Sequence, residues 1–142
     1  MKRINNILPH AMKALKDSGL IFPDQKSILK EYDGYVASFS PSVRTAGLRA
    51  TLSFYSDKHK DRNDNKPKRN HILNCLLVVY QKMDTEGGIL PGSDLLDIAL
   101  NTTNEAKLRQ LKKDLTDCAI ALKLVLRNFE QLDEVPKPAP TN

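Results

Sequence analysis

Leu108, Leu111, Leu115, Cys118, Leu122, Val125, Phe129 and Leu132 follow one another at intervals of 3, 4, 3, 4, 3, 4 and 3 residues. A helix brings every third or fourth residue back to one face, so the spacing predicts a helix over 104–132, roughly 43 Å long at about 1.5 Å per residue. A stripe of that length needs apolar partners, and the rest of the chain supplies them. Ile4, Ile7, Leu8, Ala11, Ala14 and Leu15 recur at helical spacing, as do Tyr32, Val36 and Phe39, then Val43, Leu48, Leu52 and Tyr55, then Ile72, Leu73, Leu76, Val79 and Tyr80. The expected fold is therefore all-α, a single bundle of about five to six helices over residues 1–133 with the long C-terminal helix as its spine. With 142 residues, 40% of them apolar and 27% charged, the chain has enough side chains for one such core. No strand alternation and no internal repeat is visible.

Capping and breaking residues set the expected boundaries. Helix one starts near Asn6, so that Pro9 falls in its first turn, and Gly19 stops it. A second helix runs from Ile28 to Phe39, where Ser40-Pro41 reads as an N-cap and a first-turn proline restarting the chain as a third. Gly47 then lies inside helix three, where a glycine suggests close approach by a neighbouring helix. The fourth, central helix spans Ile72 to Met83 and ends at Gly87-Gly88. Ser93 caps a short fifth through Leu95 and Ile98, and Thr102 with Glu105 reads as a capping box opening the last helix. Residues 134–142 are Pro-rich and expected to be an extended, disordered tail.

The formal net charge is +5, and most of it is local. Lys58, Lys60, Arg62, Lys66, Lys68 and Arg69 stand against Asp61 and Asp64 in a stretch whose only apolar side chain is Pro67. Such a stretch cannot pack, so residues 58–70 are expected to form a solvated inter-helix loop, and a concentrated basic loop is a footprint for polyanions. Cys75 and Cys118 fall inside apolar segments with no paired spacing, as suits packed thiols in a reducing cytoplasm. The longest apolar run, residues 75–80, is far short of the roughly 20 residues a membrane span needs.

Motifs for catalysis and cofactors are missing from the sequence. There is no His-Asp pair, no Glu-x-x-His and no His-Glu-x-x-His for a metal, and no Gly-x-x-x-x-Gly-Lys phosphate loop. His71 and Cys75 at i, i+4 offer two zinc ligands where a structural site takes four, so a buried thiol beside a helix-start histidine is the plainer reading. His59, Lys60, Asp61 and Arg62 hold acid and base groups but no rigid support for RNA cleavage. The expectation is a non-enzyme with no metal and no cofactor.

Two stretches resemble a known family. Ile7-Leu8-Pro9-His10-Ala11-Met12-Lys13-Ala14-Leu15 is similar to the opening helix of the small all-helical subunit of the type III-B CRISPR effector, the Cmr complex, with its Ile-Pro-x-Ala-x-x-Ala-Leu pattern. Ser38-Phe39, Val43-Arg44, Gly47-Leu48 and Leu52-x-Phe54-Tyr55 resemble its Ser-Phe, Ile-Arg, Gly-Leu and Leu-x-Phe-Tyr signature at matching spacings. Ser40 stands where members tend to carry Gly, and the final helix lacks their Trp. The resemblance implies a non-catalytic subunit whose copies stack in a minor filament beside the backbone and large subunits, lining the channel where guide RNA pairs with target RNA. In such an assembly base pairing supplies specificity, and protein need only hold the backbone.

On that reading the RNA-binding candidates are Arg44, Arg49, Lys58, Lys60, Arg62, Lys66, Lys68 and Arg69. Lys112, Lys113, Lys123 and Arg127 on the last helix form a rival surface. A protein-interaction scaffold without nucleic-acid contact is the alternative. A helical transcription regulator is disfavoured because its recognition helix, residues 93–100, carries Asp94 and Asp97 and no cation.

Overall fold

The computed structural model describes residues 2–22, 24, 26–56, 67–83 and 94–135. The described residues form six helices, α1 (Lys2–Asp17), α2 (Lys30–Ala46), α3 (Leu48–Tyr55), α4 (Arg69–Met83), α5 (Leu95–Asn101) and α6 (Glu105–Leu126). A small sheet joins them, made of β1 (Ile21–Phe22), β2 (Ser27–Leu29) and β3 (Glu130–Leu132). The all-α reading and the long final helix hold. No described helix is long and apolar enough to cross a membrane.

α6 is the spine because its stripe has partners on three sides: α1, α2 and α4 all pack along it. Leu111, Leu115, Cys118, Leu122 and Val125 are buried as the spacing requires, with Ala119, Ala121 and Leu126 beside them. α4 lies against α1, α2, α3 and α6, the central place expected of it. One continuous core results, with Phe39, Leu52, Ile72, Leu76, Leu115 and Leu122 wholly withdrawn from solvent. The outer edge of α6 is tied to α1 by Arg3, which donates to Asp114 and lies 3.4 Å from Asp117.

Several boundaries differ from the sequence reading, each for a local reason. α1 starts at Lys2, so Pro9 sits in mid-helix and not in the first turn. α2 continues straight through Ser40-Pro41, because Val36, Phe39 and Val43 share one buried face that a break would split. The break comes at Gly47, with φ +91° and ψ 163°. A Cβ added there would meet nothing within 4 Å, so backbone conformation and not close helix packing explains this glycine.

Ile28 and Leu29 belong to β2, ahead of α2. Asp94 caps α5 by accepting from the Asp97 amide, and Ser93 lies outside the described residues with Gly87-Gly88. Asn104 caps α6 by accepting from the Lys107 amide, while the Thr102 hydroxyl donates back to the Ile98 carbonyl. α6 ends at Leu126, a turn follows, and Phe129 and Leu132 finish the apolar stripe outside the helix.

The sheet was not legible from alternation, since its strands have two or three residues. β2 is central and wholly buried, antiparallel to β1 with Ile21 opposite Ile28, and parallel to β3 with Ile28 opposite Gln131. Parallel pairing needs a crossover, here everything from α2 to α6.

Candidate nucleic-acid interface

α2 and α6 pack side by side, and each turns one polar-rimmed stripe toward their shared outer seam. On α2 the stripe is Ala37, Ser40, Pro41 and Arg44, which lie three or four residues apart across one face, and on α6 it is Lys112, Thr116, Ile120 and Lys123, a run of four-, four- and three-residue steps. Between them lies a groove of about 380 Å³ whose floor is Val36, Val43 and Ala119. Two cations rise from the α6 wall and one from the α2 wall. Arg44, Lys112 and Lys123 have no ion pair among the described residues.

Two acids of α6 are sorted to the other side. Asp114 and Asp117 face α1, where Arg3 engages them, and the Asp114 carboxylate raises the pKa of that guanidinium through their hydrogen bond. One amphipathic helix thus presents an acid edge to its own bundle and a cationic edge to solvent. The Thr116 hydroxyl donates to the Lys112 carbonyl, so its proton is used within α6 and it adds no charge to the groove.

The remaining candidates separate in space. Arg49 spends its guanidinium on the end of α5, donating to the Ala99 carbonyl at 3.0 Å and to the Thr102 carbonyl at 2.7 Å. There it satisfies carbonyls that a helix C-terminus leaves without partners. Lys58, Lys60, Arg62 and Lys66 lie outside the described residues. Lys68 is half-buried just before α4, and Arg69 is the first helical residue of α4, its guanidinium carbon over two aromatic rings. Lys113 is one residue off the groove stripe, and Arg127 follows the end of α6.

Sequence reasoning placed Arg44 and the lysines of α6 on rival surfaces. The structure brings Arg44, Lys112 and Lys123 to one groove. The signal that could have joined them was the shared three- and four-residue period of residues 37–44 and 112–123. Which two stripes face each other, however, is decided only by helix pairing.

Around His71 and Cys75 the geometry is that of packing. His71 Nδ1 and the Tyr32 hydroxyl share a hydrogen bond of 2.8 Å, its donor set by the imidazole tautomer. Burial, helped by Lys68, lowers the His71 pKa, which favours the neutral ring. Burial also pushes the Cys75 thiol up to about 11 and the Cys118 thiol up to about 12, far from the thiolate that a nucleophile or metal ligand requires. Among the described residues no three His, Cys, Asp or Glu side chains converge as a metal site would.

No curated protein and no solved structure matches the chain. The family model for CRISPR-associated protein (Cas_Cmr5) matches residues 5–123, from the first turn of α1 to Lys123 of the groove. The match takes in both stretches that carry the sequence resemblance, α1 and the α2–α3 signature, together with the α2/α6 pairing that builds the groove, and on it the chain belongs to the Cas_Cmr5 family, a subunit family of the type III-B CRISPR Cmr complex.

Proposed function

We propose that this subunit acts without catalysis, holding target RNA by its sugar-phosphate backbone in the effector while copies of the chain stack as a minor filament beside the backbone and large subunits. The observation that carries the RNA contact is the α2/α6 groove, where Arg44, Lys112 and Lys123 stand without acid partners among the described residues. Cations on two facing helix walls suit phosphates that follow the seam, and they read no bases. Lys58, Lys60, Arg62, Lys66 and Lys68 extend the same chemistry along the chain, while Arg49 keeps its place at the end of α5.

The test is a double charge reversal, Arg44→Glu with Lys112→Glu, in the assembled complex. Target-RNA affinity is expected to fall, and the slope of log K against log salt to flatten by about 0.7 for each phosphate of the single strand that no longer meets a cation. An unchanged slope and affinity would sink the reading. One observation favours the rival scaffold role: Ile120, which lines the groove, and Leu124, one helical turn further along α6, are 39% and 38% exposed. If they form the stacking contact alone, Ile120→Asp abolishes assembly while charge reversal in the groove leaves RNA protection intact.

A further inference from the structure

Two hydroxyls line the α2/α6 groove between its cations, Ser40 on the α2 wall and Thr116 on the α6 wall. Their level along the seam follows from the topology. α2 starts where β2 ends, α6 ends just ahead of β3, and β2 pairs with β3, so the two helices run antiparallel with the sheet at one end. Ser40 lies about ten residues from the start of α2 and Thr116 about ten from the end of α6, which sets both roughly 15 Å from that end. By the same count Arg44 and Lys112 are level with each other at roughly 21 Å, and Lys123 stands alone at roughly 5 Å. From its far end the seam is therefore a cation pair, a hydroxyl pair, an apolar patch of Ala37, Ala119 and Ile120, and a single lysine.

The two hydroxyls are chemically complementary. Thr116 spends its proton on the Lys112 carbonyl, which leaves its oxygen free to accept. The Ser40 hydroxyl makes no hydrogen bond among the described residues, so it has a proton to donate. Both residues are half-buried over an apolar floor, where a polar partner is worth more than in open water.

We propose that Ser40 and Thr116 bind a ribose 2′-hydroxyl, so that the groove selects RNA over DNA. This rests on the RNA-binding reading above and deepens it, from the phosphates to the sugar between them. A 2′-hydroxyl is donor and acceptor at once: it donates to Thr116 Oγ1 and accepts from Ser40 Oγ. The hydroxyl pair lies about 6 Å along the seam from Arg44 and Lys112, so a strand whose phosphate meets those cations brings its next sugar to Ser40 and Thr116. The carbon face of that sugar rests on Pro41 and Ile120, exposed side chains of the two walls. Charge makes nucleic acid the occupant, since Arg44, Lys112 and Lys123 have no acid partner among the described residues. Every contact is to the backbone, which leaves the bases free to pair.

The full chain is titrated with a uridine oligomer and with 2′-deoxy and 2′-O-methyl oligomers of the same sequence and length. The ribose strand is expected to bind about 3- to 10-fold tighter than the deoxy strand, and the methylated strand, which cannot donate, to bind no better than the deoxy strand. Ser40→Ala with Thr116→Val, checked for native circular dichroism, is expected to remove that preference by weakening the ribose strand alone. The slope of log K against log salt should stay as in the parent, because no phosphate contact is lost.

Equal affinity of the parent for ribose and deoxy strands, or a preference that survives the double substitution, overturns the hydroxyl site and leaves the phosphate groove standing. If the parent binds none of the three strands, the RNA-binding reading falls and the hydroxyl site with it. A double variant that keeps the preference but drops out of the assembled complex overturns the site in favour of a protein contact.

Discussion

At Gly47 the backbone adopts φ +91° and ψ 163°, a region essentially closed to residues with a side chain, and the φ alone is what stops α2 and redirects the chain into α3. Gly47→Ala is therefore expected to cost about 1–3 kcal/mol in urea unfolding although the added methyl touches nothing; a change below a few tenths would count against backbone strain as the cause. The glycine itself was visible in the sequence, but its reason was not, since spacing shows where a residue falls on a helix and nothing of whether the helix is still running. The buried thiols make a second residue-level expectation. Folding raises Cys75 to about 11 and Cys118 to about 12 from 9.0, so above pH 9 the unfolded chain sheds protons that the folded chain keeps. Stability is thus full below pH 9 and falls as pH rises toward 11, by at most about 1.4 kcal/mol per pH unit for each thiol. Urea midpoints measured from pH 7 to 11 should show the drop, and a chain with Cys75→Ala and Cys118→Ala should show a shallower one.

Two helices carry a proline in their interiors, Pro9 in α1 and Pro41 in α2. Each removes an amide from the ladder and crowds the carbonyl four residues back, and the elements persist because their buried faces outweigh the local loss. Pro9 is exposed and touches no part of the groove, so Pro9→Ala should restore the bond to the Asn5 carbonyl and raise stability by about 2 kcal/mol, with the denaturant m-value unchanged. This balance also explains what could be read in advance. The stripe of α6 was legible because six positions from Leu108 to Val125 agree, whereas Ser40-Pro41 and Thr102 through Glu105 are local cues of two to four residues that a packed face or a better-placed Asn104 overrides. The strands β1, β2 and β3 are too short to show a period at all. In the same way, both walls of the groove could be written down from the sequence, but their meeting could not.

Across the whole molecule the chain closes on itself: α1 packs on α6, and β2 waits for β3, with Ser27 opposite Glu130 and Leu29 opposite Leu132. Removing residues 127–142 strips β2 of its parallel neighbour and takes away the half-buried Phe129 and Leu132. The truncated chain is expected to lose about 2–4 kcal/mol, read as a fall in Tm of roughly 10 °C, and an unchanged Tm would show that β3 closes nothing. The same closure sets a clock on synthesis. About a hundred residues separate the two strands, so at roughly 5–20 residues per second the ribosome needs about 5–20 s after making β2 to deliver its mate. For that interval Ile28, Leu29 and the inner faces of α1 and α2 have no α6 to cover them. The nascent chain therefore leaves that apolar surface open until α6 and β3 emerge, and the pairing of β2 with β3 is completed only then.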